Sequence, residues 1–275
     1  MVFGSRFNRK QKLKDKLSQD QAFLQVLEDL SPRAGQGQAE LNAYEQGALF
    51  IRVRQLELKP FKTSILNNLN FDLRLGNLVA LVGSNGAGKS SLLRVLAGQE
   101  LGFSGLYKLD NSSQLEHIKR NVSYLADSNY LQPNYSLRYY INLFSELYPD
   151  FSIKRALELC ALLKIDSTLK LSKFSKGKLR CALLVLCFSR NTAVYLLDEP
   201  FVGLDALSRD IVLRQIFSSY YQSSLIVLST HLITELEQYL DEILWLESGE
   251  LKMHAHVDSL RESSSKSIEE LLKDV

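Results

Sequence analysis

Cysteine is scarce. The 275 residues include three, Cys160, Cys181 and Cys187, an odd number without C-x-x-C spacing. That count speaks against a disulfide framework, and the apolar helical patterns around all three make them reduced core thiols of a cytosolic protein. Long apolar runs are missing too. The longest, Cys181 to Phe188, is eight residues, where a bilayer span needs about 20. No segment is expected to cross a membrane, so any spans must come from another chain. No apolar stretch follows the first basic residues, and no secretory signal is expected. Excess charge is absent: 33 Lys+Arg against 31 Asp+Glu leave +2, too little to point to nucleic acid. No internal repeat is found, and the one low-complexity tract is Ser263-Ser264-Ser265. What remains is 45% hydrophobic and 23% charged, a globular composition with enough apolar mass to exclude a disordered chain. The length allows one large domain or two small ones.

Residues 1–46 differ from the rest. Arg6, Arg9, Lys10, Lys12, Lys14 and Lys16 form a basic arm opposed only by Asp15. Ser18-Gln19-Asp20-Gln21 has the form of a capping box opening an amphipathic helix with Phe23, Leu24, Val26, Leu27 and Leu30. Ser31-Pro32 stops it, and Gly35 and Gly37 mark a linker. The arm fits a solvated leader packed on the main domain, or a surface that meets a membrane or partner.

The main domain is expected over 47–275. Phe50, Val53, Leu56 and Leu58 alternate imperfectly, and Phe71-Asp72-Leu73-Arg74-Leu75 alternates cleanly, so both predict strands. Leu78 to Val82, Ala193 to Leu197 and Leu225 to Leu228 are almost wholly apolar. Strands without a polar face are buried on both sides, the habit of a parallel sheet covered by helices. With helical stretches between them, the pattern predicts an α/β fold with an open, mostly parallel sheet. Residues 128–190 form a mostly helical insertion, over Leu137 to Leu147, Ile153 to Leu163 and Lys178 to Phe188.

Gly83-Ser84-Asn85-Gly86-Ala87-Gly88-Lys89-Ser90 fits G-x-x-x-x-G-K-[ST], between the strand 78–82 and a helix from Ser90 to Leu96. The glycines allow successive N–H groups to point into one concavity, and the positive helix end behind them holds phosphate oxygens. Lys89 would reach the β- and γ-phosphates, the Ser90 hydroxyl would ligate Mg²⁺, and Ser91 closes the ATP-binding stretch. The second half is Val194-Tyr195-Leu196-Leu197-Asp198-Glu199, an apolar strand delivering two carboxylates where open α/β sheets place ligands. Asp198 would hold Mg²⁺ through a water, and Glu199 would orient or deprotonate the attacking water. An Asp-Glu pair after a strand can equally cap a helix, but Pro200 and the upstream phosphate loop favour the functional reading.

Phe174-Ser175-Lys176-Gly177-Lys178 precedes Asp198-Glu199-Pro200; Gly203-Leu204-Asp205 and Thr230-His231 follow. This order resembles the nucleotide-binding subunits of ABC transporters, with Walker A, signature, Walker B, D-loop and H-switch in sequence over about 49–275. The resemblance implies a P-loop ATPase core with an antiparallel β subdomain and a helical subdomain. It also implies that Ser175, Lys176 and Gly177 contact ATP bound to a second such subunit, homologous or identical. Asp205 would couple the two sites, and His231 would touch the γ-phosphate.

From Ser167 to Leu197 there is no acidic residue, yet Lys170, Lys173, Lys176, Lys178, Arg180 and Arg190 are present. Cations at a helix start oppose its dipole by about 0.3–1 kcal/mol each. The cluster suits either an external anion such as ATP phosphate, or a solvated face.

Three features depart from the family pattern. Lys176 replaces the first glycine of the commonest signature, Leu-Ser-Gly-Gly-Gln, and Lys178 replaces its glutamine. This Ser-Lys-Gly form resembles ATPase subunits of bacterial exporters of drugs, peptides and lipids. After Val122-Ser123-Tyr124-Leu125, the expected Q-loop glutamine position holds Asp127, which offers Mg²⁺ a shorter, charged oxygen. Phe61 is the candidate for stacking on adenine. Ser248-Gly249-Glu250-Leu251 has the form of a turn and strand, and Ser267 to Leu272 of a short helix, an ending that such exporters share.

The resemblance implies an ATP- and Mg²⁺-dependent ATPase, cytoplasmic and peripheral on the inner face of the cell membrane. It would power export through a membrane-spanning partner, with no nucleic acid involved. The alternatives are a non-transport ABC ATPase and a catalytically weak regulatory subunit.

Overall fold

A computed structural model describes residues 49–60, 63–221 and 224–263. The basic arm, Phe61 and the expected helix at 267–272 lie outside the described residues.

Among the described residues, nine strands form two sheets: β1 (Leu49–Leu58), β2 (Leu66–Arg74), β3 (Leu78–Val82), β4 (Phe103–Leu109), β5 (Val122–Leu125), β6 (Val194–Asp198), β7 (Leu225–Ser229), β8 (Glu242–Glu247) and β9 (Glu250–His256). The smaller sheet is antiparallel in the order β2-β1-β4. The larger runs β5-β6-β7-β3-β8-β9, parallel except for the edge strand β9. The helices are α1 (Lys89–Leu96), α2 (Leu115–Asn121), α3 (Leu137–Leu147), α4 (Ile153–Leu162), α5 (Lys176–Phe188), α6 (Ala206–Tyr221), α7 (Ile233–Leu236) and α8 (Val257–Ser263).

The wholly apolar strands are buried on both faces, as their composition demands. Leu78, Ala80 and Val82 of β3 enter a core shared with α3, α4, α5 and α6, while Val79 and Leu81 enter a second core with α1 and the antiparallel sheet. β6 divides in the same way, with Tyr195 and Leu197 on the helical side and Val194 and Leu196 on the other. Burial on both faces removes close to all of each side chain's area from water, at about 25 cal/mol per Å² of apolar surface.

The imperfect alternation at 50–58 has a structural cause. A β-bulge shifts the register between Val53 and Leu56, and Gln55 sits at φ 49°. The extra residue turns both Val53 and Leu56 inward. The short elements β4 and α2 carry no clean periodicity. β9 alternates exposed with half-buried residues, as an edge strand should.

All three cysteines are free and buried. Burial pushes the thiols of Cys160 and Cys187 up to about 11 and raises Cys181, which leaves them inert as nucleophiles.

Candidate nucleotide site

The loop Gly83–Gly88 joins β3 to α1. Gly83 has φ 146°, and a Cβ there would stand 1.9 Å from the Leu246 carbonyl oxygen of β8, so any side chain would push the loop off the sheet. No side chain of the described residues caps α1, which leaves its first-turn N–H groups for an external acceptor. Ser84, Asn85, Gly86 and Ser90 are exposed, and Ala87 is buried. Ser91 is buried as well, and its hydroxyl accepts from Arg94 at 3.1 Å, so its contribution to a phosphate site is a backbone one. The Lys89 ammonium folds over the loop, donating to the carbonyls of Gly83 (2.7 Å) and Ser84 (2.9 Å). The Ser84 hydroxyl donates to Glu247 at 2.7 Å, which holds that carboxyl below its usual range.

Because β5, β6, β7 and β3 are parallel neighbours, their C-terminal ends gather Asp127, Asp198–Glu199, His231 and the Lys89 loop on one edge. Asp198 Oδ1 accepts from the Ser229 hydroxyl at 2.7 Å across the β6–β7 pair. Among the described residues, its buried Oδ2 has no hydrogen-bond partner. An orphaned anionic oxygen inside a protein is costly, and a divalent cation or its bound water satisfies it, so the donor set fits Mg²⁺. Ser90, whose hydroxyl is expected to complete such a set, is exposed.

Glu199 sits at φ 47°, a left-handed conformation costing a non-glycine residue about 1–3 kcal/mol. Its N–H donates to the Ser229 hydroxyl (2.9 Å) and carbonyl (3.2 Å). The strained backbone aims its carboxylate at His231, whose Nε2 lies 3.1 Å from Oε1. Burial raises the Glu199 pKa above the usual carboxylate range; His231 and Lys89 oppose the rise, and Asp198 and Asp127 add to it. Three carboxylates, an imidazole and an ammonium thus interact on one sheet edge.

Ser175, Lys176, Gly177 and Asp205 form a second group. Ser175 caps α5, its hydroxyl oxygen accepting from the Lys178 N–H at 3.3 Å, which leaves its own proton free to donate. Lys176 is exposed, and a Cβ on Gly177 would lie 2.7 Å from the Gly203 carbonyl oxygen. Asp205 caps α6, accepting from the Ser208 N–H at 2.8 Å.

The cluster of cations divides in two. Lys170, Lys173, Lys176 and Lys178 are exposed, but Arg180 and Arg190 are buried and neither faces an external anion. Arg190 pairs with Asp150 at 3.1 Å and donates to the carbonyls of Arg120 and Val122. Arg180 donates to the carbonyls of Ala126, Asp127, Asp198 and Glu199. The reading from sequence missed Arg180, Ser229 and Glu247 as parts of the site. Ser229 left one trace, a lone hydroxyl ending an apolar strand.

A parallel sheet with a phosphate loop after one strand and paired carboxylates after another defines a P-loop nucleotide-binding domain. Residues 66–202 match the ABC transporter family. The ABC transporter ATP-binding protein YtrB of Bacillus subtilis (strain 168) is 28% identical over 215 residues, covering 77% of this chain and 74% of that protein. The Nod factor export ATP-binding protein I of Burkholderia orbicola (strain AU 1054) is 28% identical, covering 72% and 68%. A relative named for import, the phosphonates import ATP-binding protein PhnC of Hydrogenovibrio crunogenus, matches as well. A solved ATP-binding subunit of an ABC transporter superposes with a TM-score of 0.76 at 24% identity, over 82% of this chain and 98% of that one. The chain carries the ATP-binding domain of the ABC transporter family.

Proposed function

We propose that this chain binds MgATP, pairs with a second ATP-binding subunit and hydrolyses the nucleotide to drive export through a separate membrane-spanning partner. The observation that carries the reading is the convergence of Lys89, Asp198, Glu199 and His231 on one sheet edge. The backbone of Gly83–Ser91 and Lys89 hold the triphosphate, with Phe61 as the candidate adenine contact. Ser90 and Asp198 hold Mg²⁺, with Asp127 as a third oxygen donor; the ion when bound neutralises charge on the phosphates. Glu199 orients the attacking water and accepts its proton, and His231 steadies that carboxylate. Lys89 and the loop amides stabilise charge on the transferring phosphoryl group.

Ser175, Lys176 and Gly177 of one subunit face the nucleotide of the other, and Asp205 communicates between the two sites. The free proton of Ser175 suits it to donate to a phosphate oxygen. Among the described residues no helix is long and apolar enough to cross a membrane, which fits a peripheral subunit on the cytoplasmic face. The Ser-Lys-Gly signature and the match to a protein named for export support that direction. Phosphate release by the purified chain with its membrane partner, and vesicle transport with ATP inside or outside, tests the reading. Turnover without transport would favour a non-transport ATPase.

A further inference from the structure

We propose that Arg180 is a positioning residue: it holds the peptide that aims Glu199 and ties it to the segment that follows β5. This rests on the role just given to Glu199. The side chain comes from α5, five residues after Ser175, and the residue is 7% exposed. One nitrogen, Nη2, donates to the carbonyls of both Asp198 and Glu199, the latter at 2.7 Å. The other, Nη1, donates to the carbonyls of Ala126 (2.5 Å) and Asp127 (3.3 Å). A single planar fork therefore spans the ends of two adjacent strands, and no other natural side chain offers that many donors in fixed geometry.

Glu199 explains why such a clamp is needed. A left-handed glutamate relaxes unless its surroundings hold it. Ser229 holds its N–H side, and Arg180 holds its carbonyl side. Burial alone would discourage a cation at this depth, and Asp127, Asp198 and Glu199 are the carboxylates that favour it. A residue needed only to fill space would be apolar, since an unpaired buried cation is costly. Because α5 starts with the signature turn, the aim of Glu199 also depends on where that helix sits.

The test uses the full-length chain with its membrane partner and compares Arg180→Met with Arg180→Lys. Met keeps the stem, and Lys keeps a charge but loses the fork. Hydrogen exchange of the ligand-free protein should rise in peptides covering 126–131 and 199–204, and stay unchanged in β3 and α1. Affinity for a fluorescent ATP analogue should remain within about threefold of wild type while kcat falls about tenfold or more, for both variants. Unchanged exchange at the two segments would overturn the proposal, as would loss of affinity in step with kcat. Exchange is read without turnover, so an inactive wild type would refute the hydrolytic reading and still leave Arg180 judged. If the Met variant does not fold, the Lys variant decides.

Discussion

The Nε2 atom of His231 lies 3.1 Å from Oε1 of Glu199, although 32 positions separate them in the chain. The contact exists because β6 and β7 are parallel neighbours and Asp198 pairs with Ser229. The two loops therefore leave the sheet side by side. Glu199 is mostly shielded, with 18% of its side chain exposed, and His231 is 60% exposed. The shielded carboxylate suits the water-activating role proposed for it, and the exposed imidazole is open to a ligand entering from outside.

Replacing Glu199 by Gln keeps the shape and removes the base. Turnover should fall about 100- to 10,000-fold, the range that general-base catalysis contributes. ATP binding should persist, so the variant should accumulate as an ATP-bound dimer during gel filtration with MgATP. Brisk phosphate release by the variant would refute the role given to Glu199.

Lys89→Ala acts on binding instead. The ammonium now bridges Gly83 and Ser84 and becomes available to a phosphate when one arrives. Losing one or two charge-assisted bonds should weaken ATP affinity about 10- to 100-fold. Isothermal titration calorimetry checks this, with adenosine as a control ligand that the substitution should not affect.

The nucleotide loop and the central strands were legible because their chemistry is local. A phosphate loop needs its glycines and lysine in one short stretch, and strands buried on both faces have no polar residue to hide. Spacing does not say which way a helical side chain points, so the sequence groups Arg180 with cations that suit an external anion or a solvated face. At α5 the lysines point outward and the arginine inward, toward carbonyls more than 50 positions earlier in the chain. Glu247 meets Ser84 across 163 positions, a contact only the β3–β8 pairing explains. β4 and α2 escaped notice because each is short and mixed in polarity.

Gly177→Ala should separate binding from turnover. The added methyl would stand 2.7 Å from the Gly203 carbonyl oxygen, so the turn that opens α5 must move away from the loop before Asp205. Displacements of this order cost about 10- to 100-fold in rate when catalytic geometry depends on them. ATP affinity of the isolated chain should stay near wild type. A variant with normal kcat would mean that this close approach has no part in catalysis.

Ser229→Ala removes one hydroxyl that serves two residues, donating to Asp198 Oδ1 and accepting from the Glu199 N–H. Both partners are left in the interior, with Glu199 N–H keeping its longer bond to the Ser229 carbonyl. Stability should drop by about 1–3 kcal/mol, the cost of an unsatisfied buried group, measured by urea denaturation. kcat should fall as well, since the backbone of Glu199 is freed.

Arg190→Met provides the contrast to both, because Arg190 lies away from the nucleotide edge. Its guanidinium pairs with Asp150 at 3.1 Å, donates to the carbonyls of Arg120 and Val122, and stacks 4.0 Å from the ring centroid of Tyr148. Removing one partner of a buried pair costs about 3–5 kcal/mol; with Asp150 still 25% exposed, the low end of that range applies. The melting temperature should fall by several degrees, while ATP affinity and kcat of the surviving folded protein stay near wild type. If Arg190→Met lost catalysis as steeply as Arg180→Met, general destabilisation would account for both.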